Sequence, residues 1–330
     1  MQKSFIFIKI YNFLRAYSIK NRVLELHTSP YGASMTALYM NDKSHVTRNL
    51  IYGYSNGEKY KGNPFFMGAT CGRFAGRIAD HGFELKGQRY ILDSDGPVHL
   101  HGGGASLAFK PWTLKEIHHG EEPYIIYTIH SAHLEGGYPG NLEIEAQYTL
   151  KGNSLLIHYR GKTDRTTHLN LTNHNYYNLN GGGSIVDHKI KVTADKLLET
   201  DSLKVPTGKF TDLQATPYDL RKDIRLGDVL KHISLDHVYA FSKGHRRAKI
   251  FSQETGISMT LTTNQPGVVI FTPADLGEEQ FRNITPAAFP AICLEPQNFP
   301  DAPNQTHFPS SVLEPGDVYS NSITLDFDLI

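Results

Sequence analysis

Polar and charged side chains gather in five short segments of this chain where hydrophobic core residues would be expected. The segments are GATCGRFAGRIADHGF with Arg73 and Arg77, GPVHLHGGG with His99 and His101, TNHNYYN with His174, SLDHVY with Asp236, and ICLEPQNFPDAPN with Glu295. In the last segment an apolar run meets a glutamate, so the carboxylate is expected to be partly buried and either paired or used in chemistry. His174 stands alone in an asparagine-rich stretch, which raises the question of where its chemical partner lies.

His99 and His101 are separated by one residue, a spacing that places two imidazoles on one face of a strand and begins some metal sites. No carboxylate follows closely; three glycines do, and the next acidic residue is Glu116. Metal binding is therefore the less favoured interpretation, and we expect neither a metal nor another cofactor. The sequence also lacks the motifs of nucleotide binding, serine hydrolysis and zinc proteolysis.

The composition argues against several classes of partner. The 330 residues carry 33 Lys and Arg against 33 Asp and Glu, a balance that disfavours nucleic acid or an anionic membrane surface as the main partner. No apolar run approaches the length of a membrane span. The two cysteines, Cys71 and Cys293, form neither a disulfide framework nor a CxxC motif, and this favours a reducing compartment such as the cytoplasm.

The first twenty residues, MQKSFIFIKIYNFLRAYSIK, do not have the pattern of a secretion signal. Their apolar run FIFI is interrupted by Lys9 and then by Asn12 and Arg15, and no small-residue cleavage site follows. We therefore predict that residues 1–20 form an extension or an extra edge strand, and that residues 21–330 form a single domain.

Alternation of apolar and polar residues dominates the rest of the chain and predicts strands. The apolar positions predicted to share a core face are Leu142, Ile144, Ala146, Tyr148 and Leu150 in NLEIEAQYTL, and Ile323, Leu325, Phe327 and Leu329 in NSITLDFDLI. Helical patterns are few, and the best of them is DLRKDIRLGDVLKHI. Many short strands with few short helices predict an all-β fold, a large antiparallel β-sandwich with a concave sheet face for a ligand.

The order of the five segments, together with GGYPGNLE and TTNQPGVVIFT, resembles the galactose mutarotase or aldose 1-epimerase family. The resemblance runs from about Tyr31 to the C-terminus, and TNHNYYNL and CLEPQNFPDAPN are its most specific parts. It implies the galactose mutarotase-like supersandwich and a cofactor-independent isomerase of carbohydrate metabolism, which interconverts the α and β anomers of a hexose such as galactose or glucose. Its partner would be a small-molecule aldose, and the protein would be a monomer or a homodimer.

The resemblance also implies which residues act. Ring opening needs a base at the O1 hydroxyl and an acid at the ring oxygen O5. In the matching segments, Glu295 would be the base and His174 the acid.

Five further residues would bind the substrate by the same resemblance. Arg77 and His101 would donate hydrogen bonds to the opening sugar, and Asp236 would accept them from its hydroxyls. Gln265 would contact the sugar, and Tyr176 would line the pocket.

One position departs from the family pattern. Many relatives carry asparagine before the arginine that matches Arg77, whereas this chain has Gly76. If the missing amide removes a sugar contact, Gly76→Asn should lower KM and leave kcat unchanged. If Gly76 instead serves a positive φ or a close neighbour, the substitution should cost stability. Arg73, in the same segment, is expected to be structural.

Three other functions stay open on the sequence alone. A glycoside hydrolase usually needs two catalytic carboxylates, whereas the matched pair here is a histidine and a glutamate. An epimerase of a phosphorylated or other sugar would need several arginines around the phosphate, and the matched segments supply Arg77 and Arg73. A non-catalytic carbohydrate-binding or regulatory protein should have lost Glu295 or His174, and both are present.

Overall fold

A computed structural model describes residues 16–94, 96–244, 246–282 and 287–330, and strands dominate these residues. In chain order the strands are β1 (Tyr17–Lys20), β2 (Glu25–Ser29), β3 (Ser34–Asn41), β4 (Thr47–Asn49), β5 (Thr70–Cys71), β6 (Arg77–Ile78), β7 (Gly82–Leu85), β8 (Gln88–Ile91), β9 (His99–Leu100), β10 (Thr113–His118), β11 (Tyr124–Ser131), β12 (Leu142–Lys151), β13 (Ser154–Thr163), β14 (Thr167–His168), β15 (Thr172–Asn173), β16 (Tyr176–Tyr177), β17 (Lys189–Val192), β18 (Ala194–Thr200), β19 (Pro206–Asp212), β20 (Ile224–Arg225), β21 (Asp236–Phe241), β22 (Arg247–Phe251), β23 (Ile257–Thr263), β24 (Gly267–Phe271), β25 (Ile292–Gln297), β26 (Val312–Leu313) and β27 (Tyr319–Leu329).

Two large antiparallel sheets form the body of the protein. The nine-stranded sheet has the order β10-β11-β12-β13-β27-β23-β22-β17-β20, and the six-stranded sheet has the order β16-β25-β24-β21-β18-β19. A four-stranded sheet, β1-β2-β3-β4, and four two-stranded ladders complete the described part. The predicted all-β antiparallel sandwich is thereby confirmed.

Helices are short, as the sequence predicted. The α-helix α1 (Leu226–Leu230) lies within DLRKDIRLGDVLKHI. The 3₁₀ segments are Gly57–Lys61, Ala79–His81, Gly103–Ala105, Leu107–Phe109, Glu135–Gly137 and Ala302–Asn304. Within the described ranges, no helix has both the length and the apolar character needed to cross a membrane.

The main core lies between the two large sheets, and alternating residues of their strands fill it. In β12 the five predicted apolar side chains are all buried, and the polar ones between them face away from the core. In β27 the residues Ile323, Leu325 and Phe327 are buried as predicted, whereas Leu329 is 49% exposed. The prediction for Leu329 was wrong because the strand ends there, and alternation no longer fixes the side chain once the sheet stops covering it.

Of the N-terminal segment 1–20, the structure describes only the last five residues. Tyr17–Lys20 forms β1, the edge strand of the four-stranded sheet, and Ile19 is buried in the main core cluster. The other residues of the predicted extension, 1–15, lie outside the described residues. A domain boundary at residue 20 therefore stays a prediction, although the main core cluster includes residues from both sides of it.

Arg73 has a structural role, as expected. Arg73 is 3% exposed, and its guanidinium donates hydrogen bonds to the carbonyls of Ser131, Ala132, Pro139 and Gly140 at 2.6–3.1 Å. Burial lowers its pKa to about 10. The side chain thus ties the segment that leads to β6 onto the loop that follows β11, and this fixes one wall of the site described below.

Replacement of Arg73 by Met should lower the free energy of unfolding by about 3 kcal/mol, because four carbonyl groups would lose a charged, forked donor. Urea unfolding measures the change. Arg165→Met, at an exposed position, is the matched control and should alter stability by less than about 0.5 kcal/mol. Equal stability of the two variants would contradict the structural role.

Candidate active site

β25 carries the buried carboxylate, because its side chains alternate between two environments. Ile292 and Leu294 enter the main core cluster, whereas Cys293, Glu295 and Gln297 lie on the opposite face. Glu295 is 2% exposed, and its Oε2 atom has no hydrogen-bond partner among the described residues. This face of β25 forms part of a cleft of about 240 Å³.

The strand register brings His174 to Glu295. β16 pairs with β25 through Tyr176 and Cys293, and the same antiparallel register extended by two residues places His174 opposite Glu295. The Nε2 atom of His174 lies 3.5 Å from Oε1 of Glu295. The Tyr176 ring stacks on the imidazole with centroids 5.2 Å apart, and its hydroxyl donates to the carbonyl of Phe65 at 2.8 Å. The partner of His174 is therefore a residue far along the chain.

The backbone around His174 is held on both sides. Its N–H donates to the carbonyl of Ala69, and its carbonyl accepts from the N–H of Gly68, each at 2.9 Å. The buried amide of Asn173 donates to the carbonyl of Gly68 at 3.0 Å. Asn170 binds two backbone carbonyls of neighbouring segments in the same way. The asparagine-rich stretch thus replaces apolar packing with amide-to-backbone bonds, which position the imidazole.

His101 lies beside His174, with the two rings edge to face at 5.4 Å. The N–H of Gly76 donates to Nδ1 of His101 at 3.2 Å, and the N–H of His101 donates to the carbonyl of Gly76 at 3.0 Å. Since Nδ1 accepts a hydrogen bond, the neutral ring carries its proton on Nε2. Phe66 packs against both imidazoles. His101 is therefore prepared as a hydrogen-bond donor.

His99 does not share a strand face with His101, so this sequence expectation was wrong. β9 ends at Leu100, and the left-handed backbone of His101, with φ of +50°, turns the chain away. His99 is fully buried, and its ring contacts the carbonyl of Asp93 and the hydroxyl of Tyr138. The two-residue period holds along a strand, and here the strand ends between the two histidines.

A different set of groups has the proximity that a metal site needs. His101, His174 and Glu295 each offer one ligand atom, and these atoms lie within 4.8 Å of one another. To bind a metal through Nε2, however, His101 would have to carry its proton on Nδ1, where it would face the N–H of Gly76. Two donors would then oppose each other. The arrangement fits hydrogen-bond donation to a polar ligand better than metal ligation.

Arg77 and Asp236 lie together along the cleft, with Nη2 of the arginine 3.7 Å from Oδ2 of the aspartate. Their side chains are 25% and 30% exposed. The N–H of Asp301 donates to the carbonyl of Arg77 at 2.8 Å, which fixes β6 against the segment that follows β25. The pair offers a strong donor and a strong acceptor to the hydroxyls of a bound molecule.

Burial shifts the ionisation of the central groups. It raises the pKa of Glu295 well above its ordinary value; Asp236 adds to this effect, and Arg77 partly offsets it. Burial lowers the pKa of His174 to about 4, and it lowers the pKa of His101 well below the usual range. The surroundings penalise a charge on either member of the His174–Glu295 pair. The pair therefore favours a protonated carboxyl beside a neutral imidazole.

Gln265 does not lie in the cleft, although the resemblance placed it there. It follows β23 in the turn to β24, and its amide donates to the side chain of Asn264 at 2.9 Å. The residues that line the cleft include Gln297 instead. The sequence held a signal for Gln297, because in LEPQ it stands two residues after Glu295 and so emerges on the same face of the strand.

Phe66 and Lys204 also line the cleft, although neither was predicted from the sequence. Both lie in irregular segments and have a positive φ, +54° for Phe66 and +63° for Lys204. Lys204 belongs to the turn between β18 and β19. No local pattern marks either residue, because the course of a loop over a cleft depends on the elements that the loop joins.

Gly76 is explained by backbone geometry. Its φ is +81°, and a Cβ atom there would lie 2.7 Å from Cγ of Pro300. Its N–H and carbonyl also hold His101. The structure thus supports a backbone requirement for glycine and not a missing sugar contact. The Cβ atom of an asparagine at this position would clash with Pro300.

A larger depression, of about 520 Å³, lies near residues 55–65 and 276–280. Its charged residues Lys59 and Glu279 form an ion pair at 3.0 Å. Among the described residues that line it, none is a buried acid or base like those of the cleft. The cleft at Glu295 is therefore the candidate active site.

Known proteins resemble this chain along nearly its whole length. The family model described as aldose 1-epimerase matches residues 15–326. Galactose mutarotases of Bos taurus and Sus scrofa are each 34% identical, over 328 and 325 residues, which cover 95% of this chain and 94% of each relative. The crystal structure of an aldose epimerase homologue from C. elegans aligns with a TM-score of 0.89 at 27% identity, covering 96% of this chain and 99% of that chain.

Gly76→Ala should destabilise the protein more than Gly87→Ala does. Both glycines have a positive φ, but a Cβ at Gly87 would have no described atom within 4 Å beyond the glycine itself and its two chain neighbours. Gly87→Ala, the control, should therefore lower the free energy of unfolding by about 1–2 kcal/mol because of the left-handed backbone alone. Gly76→Ala should lower the free energy of unfolding by about 1–3 kcal/mol more than the control does, because the new methyl group is overpacked against Pro300.

The double variant Gly76→Ala, Pro300→Ala separates these contributions. It should recover part of the loss in free energy of unfolding, because the smaller side chain makes room for the new methyl group. Urea titration of the wild type, the Gly76→Ala and Gly87→Ala variants and the double variant measures the free energy of unfolding of each. Equal destabilisation by the Gly76 and Gly87 variants would show that Pro300 imposes no constraint.

Proposed function

This chain belongs to the aldose 1-epimerase family and is an isomerase that interconverts the anomers of an aldose, and from that premise we propose that Glu295 and His174 carry the proton transfers. The observation that carries the proposal is the 3.5 Å separation of His174 Nε2 and Glu295 Oε1 within the cleft. An acid and a base at this separation can reach the two oxygens that share the anomeric carbon of a sugar ring.

The reaction needs one base and one acid. Glu295 takes the proton of the O1 hydroxyl as C1=O forms and the C1–O5 bond breaks, and His174 gives a proton to O5. The open-chain aldehyde then rotates about the C1–C2 bond. O5 attacks the other face of the carbonyl while both protons return, which yields the opposite anomer and restores both residues without a cofactor.

The electrostatics of the buried pair suit this exchange. A carboxylate with a raised pKa is a strong base once it is ionised, and an imidazolium with a lowered pKa is a strong acid. Burial makes the charged arrangement the minor one, but a single proton transfer between the two residues forms it. Burial therefore makes the carboxylate a stronger base and the imidazolium a stronger acid. It also lowers the fraction of molecules in which the pair is in this charged, reactive form.

The other residues bind and orient the sugar in this proposal. His101 donates from Nε2, and Arg77 donates from its guanidinium, to oxygens that gain negative charge as the ring opens. Asp236 accepts from sugar hydroxyls along the cleft. Tyr176 holds the imidazole of His174 by stacking on it.

We propose a neutral hexose such as galactose or glucose as the substrate. The relatives are named galactose mutarotases, and the carboxylate of Asp236 lines the cleft, where it would repel a phosphate. Arg77 is already paired with Asp236 at 3.7 Å, which disfavours the epimerase of a phosphorylated sugar. A purely carbohydrate-binding protein would have no need for a buried acid and base held side by side.

We also propose that the protein works in the cytoplasm as a monomer or homodimer, with the aldose as its partner and without nucleic acid or membrane. The free thiols of Cys71 and Cys293 are both buried and support a reducing compartment. The balance of 33 basic and 33 acidic residues supports the absence of a polyanionic partner.

Glu295→Gln and His174→Asn should each lower kcat by about 10²–10⁴, because each removes one of the two proton-transfer groups. KM should move less, since both groups act mainly on protons in transfer. The rate is followed as the optical rotation of freshly dissolved α-D-glucose or α-D-galactose. His119→Asn and Glu121→Gln, at exposed positions, are matched controls that should leave both constants unchanged.

Three results would contradict parts of this proposal. Wild-type protein that accelerates mutarotation of no common aldose would end the functional assignment. Variants of Glu295 and His174 that keep the wild-type kcat would remove the acid and base roles. A change confined to KM would make the two residues binding groups.

The pH profile of kcat should be broad, because the active form of the pair carries one proton. Below about pH 4 the imidazole of His174 also binds a proton, so no base remains. The alkaline limb follows the raised pKa of Glu295, above which the pair has lost its proton and no acid remains. Both arrangements of the single proton titrate together, so the limbs belong to the pair. A narrow bell between about 4.3 and 6.5, the ordinary values for Glu and His, would contradict the burial of the pair.

A further inference from the structure

Gln297 is a buried amide without a protein partner. Its side chain is fully buried, and neither Oε1 nor Nε2 has a hydrogen-bond partner among the described residues. Buried amides are nearly always bonded, because an unpaired donor or acceptor forfeits its bonds with water. An amide with both ends unpaired is free to bond a water or a ligand that reaches it from the cleft.

The position of Gln297 gives that partner access. The residue lies on the face of β25 that carries Glu295, and it lines the cleft. Its neighbour across the ladder is Gly267 of β24, which has no side chain to bond it. Gln297 thus lines the same space as Glu295 and His174.

Two nearby buried amides, unlike that of Gln297, have hydrogen-bond partners for both the oxygen and the nitrogen. Asn298, the next residue, donates to the carbonyls of Pro309 and Ser310 and accepts from the N–H of Phe299. Asn170 donates to two carbonyls and accepts from the N–H of Asn298. Since the fold satisfies these amides, the state of Gln297 is particular to its place in the cleft.

We propose that Gln297 is a substrate-positioning residue whose amide binds two adjacent hydroxyl groups of the sugar ring, an inference that rests on the proposed function. Oε1 accepts from one hydroxyl, and Nε2 donates to the oxygen of its neighbour. A vicinal diol offers this donor and acceptor side by side. The contact fixes the ring relative to Glu295 and leaves the proton transfers to the acid and base.

Gln297→Met, which keeps the length of the side chain and removes both polar atoms, tests the proposal. Two neutral hydrogen bonds lost should raise KM by about 5–100-fold, with kcat within about threefold of wild type. Gln253→Met is the matched control, because Gln253 is exposed and does not line the cleft, and it should leave KM unchanged. Mutarotation by the wild-type protein is measured first, so that failure of the proposed function is seen separately.

Hexoses deoxygenated at C2, C3, C4 or C6 separate contact from structure. For a sugar that lacks a hydroxyl bound by Gln297, the rise in KM caused by Gln297→Met should shrink at least severalfold. An unchanged KM, an equal rise for every deoxy sugar, or a fall in kcat alone would overturn the proposal. Gln297→Asn keeps an amide with a shorter reach and repeats the test if the Met variant does not fold. If neither variant folds, the amide is structural and the proposal fails.

Discussion

The carboxyl group of Glu295 is the constraint around which the site is arranged. It is 2% exposed, and removing an ionised carboxylate from water to such a place costs several kcal/mol. Arg77 offsets only part of this cost, because it lies with Asp236 in a more exposed part of the cleft. The neighbour of Glu295 is instead a neutral imidazole. Burial without full compensation raises the pKa of this carboxyl group. The group is therefore suited to exchange a proton with a ligand bound beside it.

Rigid strands hold this group in position. β25 packs Ile292 and Leu294 into the core on one face and lies between β16 and β24 in the sheet. Displacement of Glu295 would therefore disturb the core and two ladders at once. Proton transfer depends steeply on the positions of the atoms involved, and a buried strand between two neighbours fixes them better than a loop does.

The donors around the cleft come from less regular backbone. His101 and Phe66 have positive φ values, as do Gly76 and Asp301, which hold His101 and Arg77 in place. Such conformations are unfavourable for residues other than glycine, and they persist where surrounding contacts enforce them. In this cleft the enforcing contacts are the bonds between Gly76 and His101 and the packing of Gly76 against Pro300. β25 thus places Glu295, and the constrained backbone segments place His101 and Arg77 near it.

The sequence alone determined the features that depend on local pattern. Alternation in β12 and in most of β27 predicted which side chains enter the core, because a strand turns every second residue to the same side. The ordered polar segments identified the family and, by resemblance, the pair His174 and Glu295. Those segments are specific because several long motifs occur together in one order.

Tertiary structure decided what depends on the elements beside each residue. His99 and His101 were separated by the end of a strand, and Leu329 was exposed for the same reason. Gln297 rather than Gln265 reached the cleft, since the cleft follows one face of β25 and the turn after β23 lies outside it. Pro300, a residue far away in sequence, leaves no room for a side chain at Gly76. Local patterns specify which face of its own strand a residue occupies, whereas the register and the neighbouring loops determine what that face meets.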